Sequence, residues 1–313
     1  MSNTCATLGL WLVVVGIRAG AADSPSVLGD SREFEQPAKK ISPNELPDAI
    51  REAFAAASDE KTPQLISFEF ELVDVEAKNR ETVYWGDLYT GEGASCRLDL
   101  WFKSNAMPWM CGVSEGSAWM VVMDTPLSIE SSLPVANVEG WCGQLSLQVR
   151  QMEQWRGILT MSQVTQFREL NWRHEGKGRW SASLETSERS DGPVEVVVVL
   201  SDSNEVIESV EARYGDGGLL LMTEFVDVPS LGHRPRAVEW TYTSPEGARQ
   251  MRWNVHRHAP LAYVGGSVSF APPSKSPASW TNLVQVQSCA PDGRSTLREM
   301  GRAPRRSGGS SER

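Results

Sequence analysis

The chain has 313 residues, a formal net charge of -10 and 40% apolar residues. An acidic balance without a basic stripe between Gln64 and His258 excludes nucleic acid as a partner, because the polyanion rewards clustered Lys and Arg. Ordinary apolar content excludes a disordered chain and a multi-spanning membrane protein, and the length permits one large β domain or two small ones.

Residues 1–22 read as a secretory signal peptide. Ala6 to Ile17 is an apolar run too short to span a bilayer. Ala19-Gly20-Ala21 and Gly20-Ala21-Ala22 are small-residue cleavage sites, and Asp23-Ser24-Pro25 opens a polar stretch. The run is preceded by no Lys or Arg, which leaves an uncleaved anchor as the alternative. Cys5 precedes the run, so it is not a lipidated cysteine at the cleavage point. Cleavage leaves no transmembrane span and puts the protein in the periplasm or outside the cell. Residues 23–43 are polar and aperiodic, as in a linker. Asn44 is a suitable N-cap, and Leu46, Ile50, Ala53, Phe54 and Ala57 follow helical spacing to about Ser58.

Strands then follow in a ladder, and most of them carry a tryptophan. Ile66, Phe68, Phe70 and Leu72 alternate with Ser67, Glu69 and Glu71. Thr82 to Tyr89 carries Trp85. Cys96, Leu98, Leu100 and Phe102 alternate with Arg97, Asp99, Trp101 and Lys103. Trp109 to Val113 and Ala118 to Met123 form a further pair, and the second strand, with Trp119, is apolar on both faces. Leu127 to Gly140 looks irregular. Leu145, Val149, Met152, Trp155 and Leu159 fit a helical stripe over about 143–160, which Gly157 weakens near its end. Strands resume at Trp180 to Glu185 and Val194 to Leu200.

Two hairpins carry a predicted register. A turn at Gly215-Asp216-Gly217-Gly218 puts Tyr214 opposite Leu219 and Ala212 opposite Leu221. A turn at Ser244-Pro245-Glu246-Gly247 puts Val238 opposite Trp253 and Trp240 opposite Met251, on one face. Glu239 and Thr241 then meet Arg252 and Gln250 on the other face; a one-residue slip would mix the two sets. Tyr263 to Phe270 reads as a last strand. Residues 272–313 are rich in Pro, Ser, Gly and Arg and read as a disordered tail, basic toward its end.

Several residues invite chemical readings. Cleavage leaves four cysteines, and an even number in an oxidising compartment permits disulfides. Cys96 and Cys111 flank one loop and could pair; buried free thiols are the alternative. No CxxC spacing occurs, so no zinc site is expected. Gly112-Val113-Ser114-Glu115-Gly116 matches the G-x-S-x-G elbow of hydrolases, but that motif needs a helix after it and the following residues are strand-like. His256 and His258 would share one strand face, yet no third ligand accompanies them, so no metal is expected. Glu69 with Glu71, and Asp87 with Glu81, read as the solvated sides of strands rather than as a catalytic pair. Nothing calls for a cofactor. Trp101 lies on the nominally polar face of its strand. It and Trp119 each need something to cover them, whether a helix, another chain or a ligand.

An exported leader, an amphipathic helix, an antiparallel meander, a helical insertion and a further meander make an order that resembles the periplasmic lipoprotein-carrier superfamily. Glu115-Gly116-Ser117-Ala118-Trp119 resembles its turn-then-Trp strand. Gly232-His233-Arg234-Pro235 resembles its strand start, and Phe270-Ala271-Pro272 its last strand's close. The likeness runs from about Leu46 to Pro272. It implies a half-barrel closed by helices and apolar-ligand binding without catalysis. The helical insertion and Arg-rich tail depart from the simple carrier pattern.

The expected fold is mainly β (α+β), an antiparallel open half-barrel over residues 44–271 with covering helices. The expected function is a non-enzymatic binding protein that holds a lipid or lipidated partner, with Phe68, Phe70, Trp85, Trp101, Trp119, Trp240 and Trp253 as ligand-binding residues. The alternatives are an envelope scaffold or protein-interaction module without ligand and, third, a hydrolase using Ser114.

Overall fold

The computed structural model describes residues 40–42, 45–58, 62–74, 79–102, 108–123, 138–184, 192–203, 206–244, 247–264, 268–273, 275–276, 284–289, 294–299 and 301–302. The expected signal peptide, most of the linker and the expected N-cap Asn44 lie outside the described residues. In chain order the elements are β1 (Lys40–Ile41), α1 (Asp48–Ser58), β2 (Gln64–Asp74), β3 (Asn79–Thr90), β4 (Cys96–Phe102), β5 (Pro108–Ser114) and β6 (Ser117–Met123). Next come α2 (Val138–Leu159), a 3-10 helix (Ser162–Glu169), β7 (Trp172–Gly176), β8 (Arg179–Ser183), β9 (Pro193–Leu200), β10 (Ile207–Tyr214) and β11 (Leu219–Thr223). The chain continues through β12 (Val226–Val228), β13 (Gly232–Arg234), β14 (Ala237–Ser244), β15 (Gly247–Pro260) and a short 3-10 turn (Leu261–Tyr263). Last are β16 (Lys275–Ser276), β17 (Val284–Cys289), β18 (Ser295–Glu299) and β19 (Gly301–Arg302).

Among the described residues, fifteen strands form one sheet in the order β1-β7-β8-β9-β10-β11-β14-β15-β2-β3-β4-β5-β6-β17-β18. Its end strands, β1 and β18, do not pair with each other, so the sheet is open. Two antiparallel meanders build it, β2 to β6 and β7 to β11 continued by β14 and β15, and the β15–β2 pairing joins them over eleven residue pairs from Arg249↔Asp74 to Pro260↔Gln64. The result is the antiparallel open half-barrel that the sequence pattern predicts.

One side of this sheet is apolar and carries the helices. A single cross-strand row shows how it is made. Trp180 of β8 meets Val198, Val198 meets Val210, Val210 meets Met222 and Met222 meets Val238. Val238 then meets Trp253, Trp253 meets Phe70 and Phe70 meets Tyr84. Period-two alternation places every second residue of each strand on this side. The other side carries cross-strand ion pairs, such as Arg213 with Glu195 and Arg252 with Glu239. α1 turns Ala49, Ile50, Ala53, Phe54 and Ala57 inward, and the Phe54 ring meets Trp172 of β7 edge-on at 5.6 Å.

The predicted register of the last hairpin is the observed one, with Val238↔Trp253 and Trp240↔Met251. The preceding hairpin is displaced by one residue: Ala212 faces Leu220 and Arg213 faces Leu219. Gly217 explains the shift. Its φ of 89° and the bonds Gly217 N–H to Tyr214 O and Tyr214 N–H to Gly218 O make a three-residue loop with a bulge. The true register is also the cleaner one, since Val210, Ala212, Leu220 and Met222 are all 0% exposed.

Other expectations change. Lys40 and Ile41, read as linker, pair with Arg173 and Trp172. The first helix starts at Asp48, with Pro47 O accepting from the Ile50 and Arg51 N–H groups, and not at Asn44. α2 starts at Val138, five residues before the expected insertion, and runs past Gly157 without a break. β7 escaped the pattern because three of its five residues, Arg173, His174 and Glu175, are exposed. Among the described residues of Tyr263 to Phe270 there is no strand; a 3-10 turn ends at Tyr263, and residues 268–273 form a strap without regular secondary structure. The span read as a disordered tail holds β17, which pairs with β6, and β18 beyond it. The Val284-Gln285-Val286-Gln287 alternation is a strand signal that the surrounding Pro, Ser and Arg hid.

Gly86 sits at a crossing where no side chain fits. A Cβ there would enter the Phe68 ring and lie 2.8 Å from Leu100 Cδ2. Gly86→Ala is expected to cost about 1–3 kcal/mol through overpacking, read from urea unfolding midpoints. An unchanged midpoint would contradict this packing.

Candidate ligand-binding face

The apolar side of the sheet gathers four of the seven expected ligand residues: Phe68, Phe70, Trp240 and Trp253. Their exposures are 1%, 5%, 3% and 1%. α2 lays Trp155 on three of them. The Trp155 ring stacks on Phe70 at 5.2 Å and meets Phe68 and Trp253 edge-on, each at 5.7 Å. Tyr84 tilts against Phe70 at 5.7 Å, and Tyr214 against Trp240 at 4.6 Å. Offset and edge-on pairs of this kind are the favoured aromatic geometries. The layer is closed, with α2 as its cover. Sequence reasoning missed Trp155 and Tyr84 as members; Trp155 was visible only as one position of a helical stripe.

The layer holds polar atoms that nothing satisfies. Trp240 Nε1, Trp253 Nε1 and the Tyr214 hydroxyl are buried without a hydrogen-bond partner among the described residues. Burial raises the Tyr214 phenol above its usual range, with Asp216 adding to the rise, so the group stays a neutral O–H donor. An unpaired buried donor costs roughly 1–3 kcal/mol, and native proteins carry few of them.

Trp85, Trp101 and Trp119 lie on the opposite side. Trp85 pairs in register with Glu69 and with Trp101, and its indole Nε1 donates to Glu69 Oε1 at 2.7 Å. Trp85 is 39% exposed, and Trp101 is half-buried beside it. Trp119 is fully buried there, over Gly112, where a Cβ would lie 2.7 Å from its ring. Its cover is the strap: Trp119 Nε1 donates to Phe270 O at 2.8 Å, and Arg97 Nη1 donates to Ser269 O at 3.2 Å. Arg97 also grips Asp99 through two bonds of 2.7 and 2.8 Å. Burial raises the Asp99 carboxyl, and this Arg97 pairing opposes the rise.

Cys96 and Cys111 are free, buried thiols. The ladder pairs Cys96 with Val113 and Cys111 with Leu98, so the two are diagonal rather than direct neighbours and no disulfide joins them in this structure. Ser114 faces Ser117 across a two-residue turn in which Glu115 and Gly116 have φ of 50° and 74°. That is a β-hairpin turn between strands, not the strand-to-helix elbow a hydrolase serine requires. Among the described residues, no three His, Cys, Asp or Glu side chains gather to hold a metal. An open recess of about 410 Å³ lies between α1 and the first 3-10 helix, lined by Ile50, Phe54 and Trp172 together with Asp48, Arg51, Glu52 and Arg168.

His256 and His258 do not share a side. The ladder passes from Val255↔Phe68 to Arg257↔Ser67, so His256 is a bulged residue without an opposite number. It is exposed near Glu69, at 3.6 Å. His258 is half-buried, with Nε2 3.2 Å from Pro235 O. Burial lowers its imidazole from 6.5 to about 3, helped by Arg234 and Arg236 and opposed by the Pro235 contact. Between those two values the unfolded chain binds a proton that the folded chain does not. The His258 contribution to stability is therefore complete above about pH 6.5 and is lost as the pH falls toward 3. Urea unfolding should show a stability loss on acidification in this window of at most about 1.4 kcal/mol per pH unit from this residue. His258→Gln should flatten that slope; equal slopes in both proteins would contradict the assignment.

No family model matches the chain. No curated protein matches it. Among solved structures, an outer membrane lipoprotein-sorting protein domain from Vibrio parahaemolyticus is 11% identical, covering 72% of this chain and 95% of that one, with a TM-score of 0.39. A LolA superfamily protein from Nitrosomonas europaea is 9% identical over 70% of this chain and 93% of that one, TM-score 0.37. A DUF1329 family protein from Desulfovibrio piger is 9% identical over 70% and 95%, TM-score 0.38. Likenesses this remote concern architecture alone.

Proposed function

We propose that this chain is an exported, non-enzymatic binding protein that holds a lipid or lipidated partner between its sheet and α2. The unpaired indole N–H groups of Trp240 and Trp253, buried in an aromatic layer, carry this reading. An acyl ester has what that layer lacks, a carbonyl acceptor attached to a long apolar chain. Entry of the chain exchanges Trp155–sheet contacts for acyl–sheet contacts, and each buried methylene contributes about 0.8 kcal/mol. The carbonyl then takes an indole N–H that is otherwise unsatisfied. In this reading Phe68, Phe70, Trp240 and Trp253 line the site, and Trp155 guards it. The expected leader and the acidic net charge of the chain support a periplasmic or secreted carrier.

A second reading is an envelope scaffold that has the fold but no ligand. The closed state of the aromatic layer favours it, because α2 already fills the space an acyl chain would take. Organic extraction of protein purified without detergent separates the two. Mass spectrometry should find a co-purifying lipid, and added fatty acid should shift the tryptophan emission as Trp155 leaves the stack. Trp155→Ala should raise the amount of co-purifying lipid while lowering stability by about 3–5 kcal/mol. A clean extract, with emission indifferent to fatty acid, would leave the scaffold reading standing.

A further inference from the structure

We propose that the sulfur cluster beneath α2, formed by Cys96, Cys111, Met120 and Met152, binds a soft monovalent metal ion of the Cu(I) class. Four elements converge on it. Met120 of β6 stands directly opposite Cys111 of β5, so both face α2. Cys111 stands opposite Leu98 of β4, which brings Cys96 to the same side one diagonal step away. α2 brings Met152 Sδ to 3.7 Å from Cys111 Sγ. Exposures are 0% for Cys96, Cys111 and Met152 and 5% for Met120.

The spacing fits two ligands of one ion. A trigonal site with metal–sulfur bonds of about 2.3 Å has sulfur–sulfur separations of about 4 Å. The donor set selects the metal. Thiolate and thioether sulfur are soft and favour Cu(I), whereas hard divalent ions prefer oxygen. Charge points the same way. One Cu(I) with one thiolate is neutral, which a dry site under a helix accepts, while a divalent ion would leave a buried positive charge. Burial pushes the Cys96 thiol up to about 12 and the Cys111 thiol well above its usual value, so both enter the reaction protonated. Each thiol that coordinates gives its proton to solvent as the metal–sulfur bond forms, so affinity rises with pH.

The test is an anaerobic Cu(I) titration of the folded chain against a chromophoric Cu(I) chelator. One equivalent should be withdrawn from the chelator. Cys111→Ser should abolish this, and Met152→Leu should weaken it by about tenfold. Cys142→Ser, ten residues or about 15 Å along α2 from Met152, should bind as the native chain does. Native protein that withdraws no Cu(I), or equal affinity in the native, Cys111→Ser and Met152→Leu proteins, overturns the proposal. If Cys111→Ser fails to fold by circular dichroism, the volume-conserving Met152→Leu decides alone.

Discussion

The pairing of β15 with β2 is the contact on which the rest of this fold depends. It joins the last strand of the second meander to the first strand of the first, across most of the chain. Without it there are two separate sheets. With it, Trp253 lies directly against Phe70, and the aromatic residues of both meanders become one surface. α2 can then cover that surface with a single ring, Trp155, which reaches Phe68 and Phe70 of one meander and Trp253 of the other. The loop-closure cost of such a distant pairing is offset by its length, fourteen residues of β15 against eleven of β2.

The two sides of the sheet follow from that join. The helix-facing side is dry, close-packed and aromatic. The opposite side is laced with ion pairs from β7 to β15 and turns aromatic over β3 to β6, where Trp85 meets Trp101 and Trp119 lies beyond them. There the strap solves a local problem. A tryptophan at position 119 points away from the helices, and the backbone carbonyl of Phe270 both covers it and accepts its N–H. Arg97 fixes the same strap from the neighbouring strand while holding Asp99. One short segment thus satisfies an indole that the sheet alone would leave wet.

How much of this was legible in the sequence depended on whether the deciding contact was local. The Ser244 to Gly247 hairpin could be read because its turn and its face pattern agree within sixteen residues of chain. The Tyr214 hairpin was read one residue out, because a three-residue loop with Gly217 in the left-handed region looks in sequence like a four-residue turn. Strict alternation identified Phe68 and Phe70 as one face. The same alternation, carried through the β2–β3 pairing, sends Trp85 to the side of Glu69, which no inspection of β3 alone reveals. A bulge at His256 broke a period-two inference of the same kind.

The sequence by itself determined the class of fold, the order of its helices and of the strands from β2 to β6, and the register of its last hairpin. These rest on alternation and turn chemistry, which act between near neighbours. Tertiary structure decided which side each tryptophan faces, that Trp155 closes the aromatic layer, that residues 268–273 cover Trp119, and that Cys111 meets Met152 of α2. Those outcomes depend on contacts between segments more than 150 residues apart. The turn and strand patterns of one segment carry no information about which distant segment will lie against it.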